Sequence, residues 1–287
     1  MKPLLNKYIE QSNPQTLYPC GTYRHKHGIL PTITRTMRLP KDMHSSGLFI
    51  AGCSCSNRRD FTAHYVKQLL ADHKRVIFIT DKLSTDFEQT HFCNQVGINQ
   101  ETKEGISFNK MTRTFDAAPF EEGAKIAVFS GGYDFETYCE FNPDLLSFLG
   151  SIKKAKVGGE FNAPFVVVIE DDMGYSGAVE DLIPSALDGI IGYDDCVGFV
   201  VSTISPLRYR GAQNRFKHFV FFKMCDSTEF DDLKVIKRSK LVKGGDGYIQ
   251  RESVISVDIK SLQEEHFNYT CSHIAEWALN VKFCPNL

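Results

Sequence analysis

Six short runs of apolar residues, each bounded by polar segments, constrain this chain most. They are residues 47–51 (GLFIA), 75–80 (RVIFIT), 125–130 (KIAVFS), 163–169 (APFVVVI), 197–203 (VGFVVST) and 218–223 (HFVFFK). Each is too short for a buried helix and reads as a strand hidden on both faces. Helical patterns lie between several of them. One begins near Phe61 and puts Tyr65, Val66, Leu69 and Leu70 on one side; others cover residues 144–154 and 178–187. Buried strands alternating with helices predict an α/β fold with a mostly parallel sheet covered by helices on both faces.

The flanking segments differ. Residues 1–43 carry five prolines and read as irregular, apart from an alternating stretch at 33–39 (ITRTMRL) that suits an edge strand. Residues 44–232 form the core unit, and 233–287 a C-terminal part with a β-like stretch at 247–259 and a final helix at 272–281, both packing on the core. Length allows one large domain or two small ones. Lys and Arg number 33 against 35 Asp and Glu, which leaves no bulk charge to attract nucleic acid. No apolar run approaches the roughly 18 residues of a membrane span, and no apolar signal core stands at the N-terminus, so a cytoplasmic location is expected. Nine cysteines, none in CxxC spacing, read as reduced thiols. Cys53 and Cys55 lack a second ligand pair for zinc, and no metal site is expected there.

Ligands of parallel sheets gather at the carboxyl ends of the strands, and two such ends carry unusual chemistry. After the first apolar run comes Gly52-Cys-Ser-Cys-Ser-Asn57-Arg58-Arg59, between a strand and a helix. The phosphate-binding pattern GxxxxGK[ST] aligns on it without gaps. Gly52 takes the first glycine, Asn57 the second, Arg58 the lysine and Arg59 the serine or threonine. Asn57 tolerates the left-handed backbone that a glycine there would adopt. Arg58 keeps the charge with a broader group. Arg59 puts a cation where a magnesium-ligating hydroxyl belongs. Gly52, Ser54, Ser56, Asn57, Arg58 and Arg59 are the candidate nucleotide-binding residues. The same loop also suits a simpler anion, such as nucleic-acid phosphate, at a helix N-terminus.

The fourth apolar run ends in Glu170-Asp171-Asp172. A buried strand ending in acids has the form of a Walker B strand, where one acid holds magnesium and the next orients water. Two registers are open: Glu170 with Asp171, or Asp171 with Asp172. The fifth run ends in Ser202-Thr203, where a polar side chain can sense a γ-phosphate. Arg208, Arg210 and Arg215 follow; of inter-subunit finger and solvated face, the second is the expectation.

With these parts in this order, the chain resembles the FtsK–HerA class of P-loop motor ATPases, and within it the coupling proteins of conjugative type IV secretion. His44 and the strand after it, RVIFITDK at 75–82, FVVVIEDDMGY at 165–175, VGFVVSTISPLRYRG at 197–211 and NRFKHFVFFKMCDSTE at 214–229 carry the resemblance, which covers about residues 44–260. It implies a RecA-like P-loop fold, with Asp171, Glu170, Asp172 and Thr203 in catalytic positions. Thr203 replaces the usual glutamine. It implies ATP and magnesium as ligands, and protein subunits, DNA or both as partners in an oligomeric machine. The lysine, the hydroxyl, the second glycine, the acid pair and the glutamine are all altered. The expectation is therefore a pseudo-ATPase acting as an assembly component; an active, divergent DNA translocase and a phosphate-binding module are the alternatives.

Overall fold

The computed structural model describes residues 17–25, 33–83, 85–131, 141–159, 163–172, 196–204, 206, 209, 215–224, 240–243, 249–252, 265–271 and 279–286. An eleven-stranded sheet runs through it. Its strands are β1 (Leu17–His25), β2 (Ile33–Pro40), β3 (Leu48–Ala51), β4 (Arg75–Thr80), β5 (Ile106–Lys110), β6 (Ile126–Ser130), β7 (Phe165–Asp171), β8 (Cys196–Thr203), β9 (His218–Phe222), β12 (His266–Cys271) and β13 (Leu279–Phe283). A separate hairpin pairs β10 (Lys240–Lys243) with β11 (Ile249–Glu252).

The sheet order is β2-β1-β13-β12-β9-β3-β8-β7-β4-β6-β5. From β9 to β5 every neighbour is parallel. From β2 to β9 every neighbour is antiparallel. The sheet is thus mixed: the apolar runs build the parallel part, and the two ends of the described chain extend it at one edge. The alternating stretch at 33–39 is the edge strand β2, with Met37 and Leu39 turned inward. Its partner β1 lies in the segment that read as irregular. Pro19 sits beside a register shift there, where a missing ladder donor is tolerated.

Period-two alternation sorts the parallel strands onto two faces. Val76 and Phe78, Val166 and Val168, and Val220 and Phe222 join one cluster; Ile77 and Ile79, Val167 and Ile169, and Phe219 and Phe221 join the other. Helix α1 (Arg58–Ala71) and helix α2 (Asp86–Val96) cover the first face through Phe61, Val66, Leu69, Phe92 and Val96. A four-residue turn α3 (Ala118–Glu121) and helix α4 (Phe141–Gly158) cover the second, through Phe120, Phe148, Leu149 and Ile152. Phe61 of α1 also lies 5.3–5.6 Å from the rings of Phe222, Phe267 and Phe283, which ties the helix to the antiparallel extension.

One further expectation changes. Residues 279–281, placed in a final helix, belong to strand β13: Val281 and Phe283 are buried and Lys282 between them is exposed, which is strand periodicity. Residues 272–278 lie outside the described residues, as do the helical pattern at 178–187, Arg208 and Arg210. Among the described residues no helix is long and apolar enough to cross a membrane.

Candidate functional site

The site lies at the carboxyl ends of β3, β8, β7 and β4, adjacent in that order. β8 stands between the strand that leads into the loop and the strand that ends in acids, and brings their ends together. The loop begins zipped between its neighbours: Gly52 N donates to Thr203 O at 3.2 Å and Cys53 N to Lys223 O at 2.8 Å. A Cβ on Gly52 would lie 2.6 Å from both Phe222 Cβ and Ser56 Oγ, so this position needs glycine for close approach. Ser54 and Cys55 are exposed. Ser56 folds back, its N and Oγ both donating to Cys53 O at 3.0 and 2.7 Å.

Asn57 does not take the left-handed backbone expected of it. Its φ is −75° and ψ 21°, and its side chain caps nothing. The loop passes into α1 without a glycine-like turn, because Arg58 opens the helix by anchoring inward instead. The Arg58 side chain is fully buried. Its Nε donates to Gly52 O at 3.2 Å, its Nη1 to Ser202 Oγ at 2.5 Å, and its Nη2 pairs with Asp172 Oδ1. The Thr62 hydroxyl, one turn on, lies 2.8 Å from Ser202 Oγ and 2.9 Å from Arg58 O.

Arg59 and Lys82 complete the cluster. Arg59 Nε is 3.5 Å from both Glu170 Oε2 and Asp172 Oδ2, and Lys82 Nζ is 2.5 Å from Asp172 Oδ2. Asp81 Oδ2 accepts the backbone N–H of Asp172 at 2.9 Å, and Thr80 Oγ1 donates to Glu170 at 3.4 Å. Two arginines in the first turn of a helix oppose its macrodipole; the β7 carboxylates across the gap offset that. Burial draws the Arg58 pKa below its usual value, opposed first by the Glu170 charge. Burial also draws Lys82 down, helped by the Arg59 charge.

Strand periodicity splits the three acids. Glu170 and Asp172 face α1, whereas Asp171 faces the other layer and accepts from Thr203 Oγ1 and Tyr209 OH, each at 3.3 Å. The acids that meet the loop are therefore alternate residues, and neither adjacent pair shares a face. Thr203 lies with Asp171, while its neighbour Ser202 reaches Arg58. Ser202 was named with Thr203 at the polar strand end but not placed in the site, and Thr62, Lys82, Asp81 and Tyr209 were not singled out from the sequence. Applying the two-residue period to 169–172 and 200–203 finds the faces of the three acids, Ser202 and Thr203. Arg215 is exposed, as expected of a solvated position. Among the described residues no group of three His, Cys, Asp or Glu side chains is placed to hold a metal.

His44, which stood out ahead of β3, is 4% exposed. Its backbone N donates to Tyr65 OH at 3.0 Å, and its Nδ1 is 3.0 Å from the same oxygen. Burial, helped by the Lys74 charge, lowers its pKa from 6.5 to about 4. The folded state therefore holds the neutral ring, while the unfolded chain takes up a proton below about pH 6.5. Stability supplied by His44 is present above that pH and is lost as pH falls towards 4, in all by about 3 kcal/mol. Urea unfolding of the parent and of His44→Gln across this range checks it: the variant loses less stability on acidification.

No protein-family model matches the sequence, and no curated protein is significantly similar to it. Three solved structures that the chain resembles, each at a TM-score below 0.5, are the following. One is the genome packaging NTPase B204 of Sulfolobus turreted icosahedral virus 2, at 15% identity and TM-score 0.47, over 84% of this chain and 97% of that one. A second is the cytoplasmic domain of the type VII secretion ATPase EccC of Thermomonospora curvata, at 8% identity and TM-score 0.49, over 96% of this chain and 29% of that one. A third is the pCW3 conjugation coupling protein TcpA, at 9% identity and TM-score 0.45, over 97% of this chain and 68% of that one.

Proposed function

We propose that this chain is a RecA-like P-loop ATPase relative that serves as an assembly component of a DNA-transfer, secretion or packaging machine and does not turn over ATP. The observation that carries this reading is the buried Arg58 guanidinium. In the lysine position, a side chain that serves ATP must reach out of the loop to the β- and γ-phosphates. Here it turns back to Gly52, Ser202 and Asp172. Glu170 and Asp172 supply negative charge beside the N-terminus of α1, where a bound phosphate would otherwise do so.

The residues present do not fit magnesium-ATP. Position 59 offers a cation in place of a metal-ligating hydroxyl, and Asp172 is engaged by Arg58, Arg59 and Lys82. An intact α/β frame around such a site suits docking to related subunits, with protein partners in the cytoplasm and DNA reached through the assembly. The test is magnesium-dependent ATP hydrolysis with and without double-stranded DNA. No turnover above the protein-free rate is expected. Turnover abolished by Arg58→Ala or Asp171→Ala would overturn the proposal and restore the active, divergent translocase.

A further inference from the structure

The loop contains a second chemistry, independent of nucleotide. Cys53 Sγ and Cys55 Sγ are 2.9 Å apart. Cys53 is 4% exposed and Cys55 is exposed. The pair is held in a turn: Ser56 N and Oγ both donate to Cys53 O, and Cys53 N is fixed by Lys223 O. We propose that Cys53 and Cys55 form a dithiol–disulfide couple that exchanges with small-molecule disulfides and ties the loop between β3 and α1.

The step balances by ordinary exchange. The exposed Cys55 thiolate attacks one sulfur of the small disulfide, forming a mixed disulfide and releasing one thiolate. The Cys53 thiolate then attacks Cys55 Sγ and releases the second. Two protons leave the protein thiols, two electrons pass to the small disulfide, and two small thiols form. Accessibility sets the order, since Cys55 meets solvent and Cys53 lies behind it. A ring closed across one intervening residue is strained, and strained disulfides belong to the labile, regulatory kind. The tie lies immediately after Gly52, whose carbonyl receives Arg58 Nε. Oxidation therefore stiffens the strand-to-helix entry that positions the buried ion pairs.

The test equilibrates the full chain in glutathione buffers of graded oxidation, alkylates the remaining thiols and digests with trypsin. One peptide, residues 42–58, carries both cysteines. The expected result is a peptide that lacks two hydrogens, escapes alkylation and carries no glutathione. Cys53→Ser is expected to stop at one glutathione on Cys55. Hydrogen exchange over 52–60 is expected to slow by about tenfold on oxidation. Two alkylated thiols in excess glutathione disulfide, or a lasting glutathione adduct on Cys55 of the parent chain, would overturn the couple. Unchanged exchange after oxidation would overturn the stiffening. The parent chain decides both points should Cys53→Ser fail to fold.

Discussion

Arg58→Ala is expected to destabilise the fold by about 3–5 kcal/mol, the usual cost of leaving one partner of a buried ion pair uncompensated. The variant strips Asp172 of its innermost cation and removes donors to Gly52 O and Ser202 Oγ. Lys82 and Arg59 still approach Asp172, so the loss stays within that range rather than above it. The informative comparison is the double variant Arg58→Met with Asp172→Leu. Replacing both members by apolar groups of similar size is often close to neutral, so the double variant is expected to be more stable than Arg58→Ala alone. Urea unfolding of the three proteins reads this directly. Equal stability of Arg58→Ala and the parent would show that the guanidinium is not the internal strut described above.

Gly198→Ala is expected to cost about 2–4 kcal/mol. Gly198 has φ +140°, a conformation that L side chains rarely adopt, and a Cβ there would lie 1.9 Å from His44 O. That obstacle is backbone, so no rotamer change relieves it. The glycine follows a register shift where β7 pairs Phe165 with Cys196 and Val166 with Gly198. This local irregularity lets β8 pass under the 3-10 turn Met43–Ser46 that leads into β3. Thermal unfolding of Gly198→Ala against the parent checks it. A shift close to zero would mean that β8 and this turn do not meet as described.

Much of the parallel core was legible because burial on both faces writes itself as continuous apolar runs. β4 occupies residues 75–80 as expected, and β3, β6, β7, β8 and β9 differ from expectation only near their ends. Elements that bury little were missed. β5 has only Ile106 fully inward, and α2 buries Phe92, Cys93 and Val96 while Phe87 stays 82% exposed. Cap chemistry could have found α2: Thr85 and Glu88 form a capping box at its start, and Gly97 closes it in the left-handed conformation. The antiparallel extension was hidden for another reason. β1 pairs with β13, and so joins residues over 250 positions apart, a match that neither short segment announces alone.

The site was legible as a meeting of a loop and an acidic strand end, but not in its direction. An arginine in a lysine position can reach outward to an anion or inward to a carboxylate, and local sequence does not choose. The choice follows from sheet order, which sets β8 between β3 and β7, and from pleat, which sends Ser202 and Asp172 to the face of α1.

The most direct measurement is calorimetric titration of the parent chain with ATP at millimolar concentration, with and without magnesium. The buried, carboxylate-paired Arg58 predicts no magnesium-dependent binding heat. A magnesium-dependent isotherm that weakens in Arg58→Ala would contradict it, because the guanidinium would then have to leave Asp172 and reach phosphate.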